Sequence, residues 1–297
     1  MTNFDDLFST PKKENTSIQP FDKEEWIQQK KAEREKAFEM IDQAAARIAK
    51  DPERLRIYLD LQSRFPRYSV GNILLLSEQM PNATVLGDSK SWKDAGAYIN
   101  SGQTGIIILE PGNEFTREDG STGVSYNAKR VFDVSQTNAK TPRSPEIHVD
   151  DRLLLESLIF NAPCEIKIND HLQFPEAVSA VYDPGDKRIY VARGREAKDL
   201  FREITRELVH AHLDGDGYNR RTASFSAVCV SYMLCKRNNM DVSAFRFESL
   251  PETFMALDSR GVRNELSRMR DLAGTISNGM NRQIEKQKAP KSRGEAR

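Results

Sequence analysis

Apolar residues along this chain recur first at helical spacing and later, in short runs, at strand spacing. From Lys23 to Lys50, the residues Trp26, Ile27, Phe38, Ile41, Ala45 and Ile48 fall near i+3/i+4 intervals among Lys and Glu, which predicts one long helix. Asp51-Pro52 opens a second helix with proline in its first turn, running to about Phe65. Ser69 is a natural N-cap for a third helix, which ends at Met80 before Pro81. Ser91 to Ile99 reads as a short amphipathic helix. The β-branched run Gly105 to Leu109 predicts a buried strand, and Val124 to Val134 alternates as a second one. The polar stretch from Gly112 to Gly123 is expected to be the loop between them.

Beyond Thr137, the segment 138–145 carries Pro142 and Pro145 and is the best linker candidate. A helix from Val149 to Phe160 and a strand from Cys164 to Ile168 follow. Next come a hairpin, from Ala177 to Tyr182 and from Arg188 to Ala192, and two further helices over 196–213 and 220–237. Helical patterning continues past Pro251. The expected fold class is α+β: an N-terminal α+β domain, a small second domain, and C-terminal helices. The expected boundaries are a disordered leader 1–22, a first domain 23–137, a linker 138–145, a second domain 146–250, and a C-terminal helix and tail 251–297. Phe4, Leu7 and Phe8 in the leader sit beside acids, but a flexible leader is the simpler reading.

Composition narrows the classes. The chain has 297 residues, with Lys+Arg and Asp+Glu both totalling 44, so overall charge neither favours nor disfavours nucleic acid. The end is basic: six Lys or Arg from Arg282 to Arg297 against Glu285 and Glu295. Three cysteines, Cys164, Cys229 and Cys235, form no C-x-x-C pair and fit reduced thiols, hence a cytoplasmic location. No run approaches the roughly 18 apolar residues of a membrane span, and no membrane partner is expected.

The candidate chemistry lies in Arg206-Glu207-Leu208-Val209-His210-Ala211. In the H-E-x-x-H motif, two histidines four residues apart hold zinc and the intervening glutamate polarises water. Glu207 and His210 occupy the motif's positions, but Arg206 replaces the first histidine, and a guanidinium has no lone pair for a metal. At about 100° per residue, Glu203, Arg206, Glu207, His210 and Asp214 share one helix face. Phe201, Leu200, Ile204, Leu208 and Ala211 face the other way, toward the expected core. His212 lies too far round to replace the missing ligand. The plain alternative is a solvated helix with an ion pair such as Glu203–Arg206. His148 and His171 read as ordinary polar positions.

With the hairpin segments Ala180–Asp183 and Arg188–Val191, this helix resembles the zincin-like metallopeptidase domain of ArdC-type antirestriction proteins. It is also similar to the LtrC-like proteins of Gram-positive mobile elements. Residues 67–75, 79–87, the Trp92-Lys93 pair, 102–111 and 130–137 resemble, in order, the family's N-terminal domain. The resemblance implies single-stranded-DNA binding by the first domain and a gluzincin-type second domain. It also implies a third metal ligand, a glutamate, near Ala227-Val228-Cys229-Val230, where this chain has no carboxylate.

The expectation is therefore an antirestriction-like, DNA-binding accessory protein of a mobile element with an inactive peptidase domain and no cofactor. Glu207 would be a vestigial base and His210 a vestigial ligand. Zinc enters only if Glu203, Glu207, His210 and Asp214 build an atypical site. Two alternatives stand beside it: an active zinc metallopeptidase with that atypical site, or a non-catalytic scaffold holding a protein partner in the peptidase-like cleft. For DNA, the expected stacking residues are Tyr68, Trp92 and Tyr98, and the expected phosphate contacts are Arg64, Arg67, Lys90, Lys93, Lys129 and Arg130. The turn 100–105 lacks the lysines the family carries there.

Overall fold

A computed structural model describes residues 23–140, 150–169, 174–175 and 178–288. The leader 1–22, most of the expected linker, His148, His171 and the end of the basic tail lie outside these residues. The described chain is α+β. The elements, in order, are α1 (Lys23–Ile48), α2 (Pro52–Arg64), α3 (Val70–Gln79), β1 (Leu86–Gly87), α4 (Ser89–Asp94), β2 (Ile106–Thr116) and β3 (Thr122–Asp133). They continue with α5 (Asp151–Phe160), β4 (Glu165–Ile168), β5 (Ala180–Asp183), β6 (Arg188–Val191), α6 (Ala197–Leu213), α7 (Arg220–Arg237), α8 (Glu252–Met255) and α9 (Ser259–Lys288).

Local chemistry sets most of these boundaries. The Asp51 carboxylate accepts from the amides of Glu53 and Arg54, and the Ser69 hydroxyl accepts from Asn72, so α2 and α3 start where their caps stand. Two expectations need correction. The helix expected over Ser91–Ile99 is α4, which begins at Ser89 under an Asp88 cap and stops at Asp94. Gly96 beyond it has φ +73, a turn that glycine adopts without strain. The hairpin strands are also longer than expected: β2 and β3 stay paired as far as Thr116 and Thr122, through an irregularity between Pro111 and Glu114. Polarity there reports an exposed ribbon, not a loop.

The first sheet has the order β1-β3-β2 and the second β4-β6-β5, with β4 parallel and β5 antiparallel to β6. One apolar cluster runs through both, from Ala37 on α1 to Ile284 on α9, and includes the inner faces of α2, α3, α6 and α7. A satellite cluster gathers Trp92, Ala97 and Val134 under α4, where the indole donates to the Phe132 carbonyl at 3.0 Å. Gly87 permits this approach, since a Cβ there would meet the ring at 3.1 Å. The first turns of α1 overhang the core. Trp26 and Ile27, expected on its apolar stripe, are about half exposed.

The free edge of β2 is completed by side chains. Asn72 donates to the Leu109 carbonyl and accepts from its amide, both at 2.8 Å. Gln79 does the same for Ile107, at 2.9 and 2.8 Å. Two amide side chains on α3 thus satisfy four backbone groups that another strand would otherwise pair. Asn72→Ala leaves the buried Leu109 groups unpaired and should cost about 2–4 kcal/mol in urea unfolding. A loss below about 0.5 kcal/mol would contradict this account of the edge.

Candidate functional site

The motif helix α6 packs against α7 and the β5–β6 hairpin. Of the residues expected on its core face, Phe201, Ile204 and Leu208 are buried and Leu200 and Ala211 half-buried; Val209 is buried as well. The opposite face is not solvated either. Glu203, Glu207 and His210 are all buried, with Glu207 only 4% exposed.

Sequence reasoning missed the residue that makes this possible. Arg220, the first residue of α7, places Nη2 2.7 Å from Glu207 Oε1 and 2.8 Å from Oε2. Its Nη1 donates to the Tyr182 carbonyl at 3.3 Å, while the Tyr182 amide donates to Glu207 Oε2 at 2.6 Å. The Tyr182 hydroxyl reaches Asp214 at 2.6 Å, where Lys187 also donates at 2.5 Å. Tyr182 on β5 therefore joins both ends of the α6 face to α7. The signal for Arg220 was faint: an arginine at a helix start, a full turn of loop beyond the motif.

Arg206 pairs with Glu203 and not with the adjacent Glu207. Its Nη1 lies 3.2 and 3.4 Å from the two oxygens of Glu203, the plain i,i+3 ion pair. Glu203 also accepts from Arg202 Nε at 3.4 Å. These side chains line a cleft of about 320 Å³ with Val228, Phe245 and Arg246. Val228 stands in the stretch where the third metal ligand was expected, and it offers only an alkyl group.

Burial sets the electrostatics. It pushes the Glu207 carboxyl above its ordinary value, against the downward pull of Arg220 and the Tyr182 amide. All three bonds at Glu207 come from donors, so the carboxylate is ionised at neutral pH. Burial, then the charges of Arg220 and Arg206, pull His210 down to about 4. The ring is neutral and its Nδ1 pairs with the Tyr218 hydroxyl at 3.0 Å. Lys187 and Tyr182 hold Asp214 below the usual carboxylate range.

The residues expected to bind DNA are spread over three places. Trp92 is in the satellite core, 7% exposed, and so has no free ring face to offer a base. Tyr68 is half-buried against Phe65. Tyr98 is 71% exposed. Arg64 donates to the Ala83 carbonyl; Lys129 pairs with Asp88 and Glu110, and Arg130 with Glu33. Arg67, Lys90 and Lys93 are exposed. The structure does gather aromatic and basic groups elsewhere. Trp26, Ile27, Lys30, Lys31, Arg34 and Tyr126 line a groove of about 400 Å³ between α1 and the β2–β3 ribbon. Phe38 meets the Tyr126 ring edge-on at 6.3 Å.

No family model matches the sequence. The uncharacterized protein pXO2-81 of Bacillus anthracis is 26% identical over 312 residues, covering 84% of this chain. The chain spans about half the length of that relative, 52%. Among solved structures, the chain shares an α+β fold with an antirestriction protein. That protein is the antirestriction ArdC protein from the R388 plasmid, whose Mn(II)-bound structure aligns at TM-score 0.53 and 16% identity, over 82% of this chain and 97% of that one. Its metal-free structure aligns at TM-score 0.48, over 72% and 86% of the two chains.

The donors on α6 do not fit a metal. Arg206 has no lone pair, both Glu207 oxygens are engaged and Asp214 is tied to the hairpin, which leaves His210 to offer a metal one nitrogen, Nε2, where three protein ligands are needed. Among the described residues no group of three or more His, Cys, Asp or Glu comes together to hold one.

Two outcomes are expected. Arg220→Ala strands a buried carboxylate and should destabilise the chain by about 2–3 kcal/mol, below the fully buried range because Arg220 is 41% exposed. Arg206→Ala should cost under about 1 kcal/mol. Equal losses in thermal or urea unfolding would refute the assignment of Arg220 as the essential partner. Separately, the folded value of His210 lies below its unfolded 6.5, so its contribution is complete above about pH 6.5 and is lost as pH falls toward about 4. Stability should fall there by up to about 1.4 kcal/mol per pH unit, and His210→Gln should flatten the slope, leaving a residue from His212, which burial also lowers. A slope unchanged in His210→Gln would exclude His210 as its source.

Proposed function

We propose that this chain is a single-stranded-DNA-binding, antirestriction-type accessory protein of a mobile genetic element. In this reading its peptidase-like helix is a structural part without metal or proteolysis. Residues 23–137 would bind the strand and residues 146–250 would form the peptidase-like part. The observation that carries the DNA reading is the groove on α1, where Trp26 and Tyr126 stand beside Lys30, Lys31 and Arg34. Base stacking on aromatic rings with cations tracking the phosphates is how single strands are held without sequence preference. The ArdC fold likeness agrees with an antirestriction role. Tyr98, Arg67, Lys90 and Lys93 are exposed and would extend the path; Arg64, Lys129 and Arg130 would contribute only by exchanging their present partners.

The absence of peptidase chemistry rests on Glu207, whose oxygens are occupied by Arg220 and the Tyr182 amide and so cannot polarise water. A second reading, a scaffold for a protein segment, draws support from the cleft lined by Arg202, Arg206 and Arg246, which would favour an acidic peptide.

Fluorescence anisotropy with a labelled oligothymidylate should show binding at about 50 mM salt that weakens as salt rises. Lys31→Ala with Arg34→Ala should lower the slope of log K against log salt by about 1–1.5. Trp26→Ala should weaken binding at least about tenfold. No binding at low salt would remove the DNA reading. Stoichiometric zinc or manganese in chelator-free protein, abolished by His210→Ala, would remove the metal-free one.

A further inference from the structure

Arg237 ends α7 at a cleft of about 430 Å³ that also meets Arg64, Lys236, Ser277 and Asn281. Its guanidinium is a permanent cation. Its hydrogen bond is long, from Nη2 to the Gln62 carbonyl at 3.4 Å. Its Nε is buried without a hydrogen-bond partner, alone in that condition among the described side chains. The carboxylate at this cleft, Asp60, is already engaged by Lys236 at 3.0 Å, Arg56 at 3.6 Å and the Tyr232 hydroxyl at 2.7 Å. Among the described residues no carboxylate pairs with Arg237, and a largely buried charge in that state is costly unless something compensates it. Burial accordingly pulls its pKa down to about 10.

We propose that this cleft binds a phosphate group, with Arg237 and Arg64 engaging its oxygens and Ser277 and Asn281 supplying neutral donors from α9. An oxyanion with several acceptors suits donors that converge from α2, α7 and α9. The exposed carbonyls at the ends of α2 and α7 oppose an anion, so the two guanidiniums must outweigh them. A cleft of this volume exceeds a bare phosphate and leaves room for a sugar or base. The ligand is therefore either a phosphate monoester, such as a mononucleotide, or a diester of a nucleic-acid backbone. The site is separate from the α1 groove and does not rest on the function proposed above; Arg64, which donates to the Ala83 carbonyl, exchanges that partner to reach the phosphate.

The test is thermal unfolding of the full chain in inorganic phosphate against chloride at matched ionic strength. Phosphate should raise Tm by about 2–4 °C more than chloride does. Arg237→Gln should lose that rise. Ser277→Glu, which sets a carboxylate in the cleft without touching Arg237, should lose it as well and serves if Arg237→Gln fails to fold. A wild-type Tm that tracks the chloride control overturns the proposal, as does a phosphate response retained in Ser277→Glu. Anisotropy then separates the sources. An oligothymidylate bound at least about threefold more weakly by Ser277→Glu identifies a diester, whereas unchanged binding with a lost phosphate response identifies a monoester.

Discussion

A carboxylate removed from water must be given a cation and donors, and in this protein that constraint falls on Glu207. Arg220 and the Tyr182 amide meet it together, so one side chain on α6 joins the start of α7 to the edge strand of the second sheet. The placing of the hairpin, the angle at which α7 leaves its loop, and the burial of His210 all depend on this joint. Glu203, within the helix, and Asp214, at its C-terminal end, are also given cations or donors, by Arg202 with Arg206 and by Lys187 with Tyr182.

In this structure the motif glutamate serves the architecture: Arg220 and the Tyr182 amide hold its carboxylate and occupy both of its oxygens. Arg206, the conspicuous departure in sequence, proves a bystander on a local ion pair. The decisive cation sits fourteen positions further on. Two helices carry the change, and neither residue alone accounts for it.

Much of the fold was legible because local rules coincide with tertiary ones. Asp51, Ser69 and Pro81 mark helix ends by capping and by proline's missing donor, and the hairpin at Asp183–Arg188 announces its turn. The length of the β2–β3 ribbon was not legible, since exposed strand residues such as Glu114 and Thr116 read as loop. At the site, helical periodicity placed Glu203, Glu207 and His210 on one face but not in the interior. Amphipathic patterning assumes that charges seek water, and a pair supplied from a distant helix breaks that assumption. The same limit hid the α1 groove: Trp26 satisfies a helical stripe, yet nothing local says the stripe overruns the core there.

The four residues Ile106-Ile107-Ile108-Leu109 are buried on both faces, so their apolar pattern alone would tolerate a slip of one position along β3. The two amides on α3 fix the other side of β2, its position against the helix. Asn72 and Gln79 each grasp both polar groups of a single residue, and the gap between them admits only Leu109 and Ile107. A displaced hairpin would present its carbonyls and amides to neither. The helix acts as a gauge that measures the strand, so that β2 meets α3 at one position only.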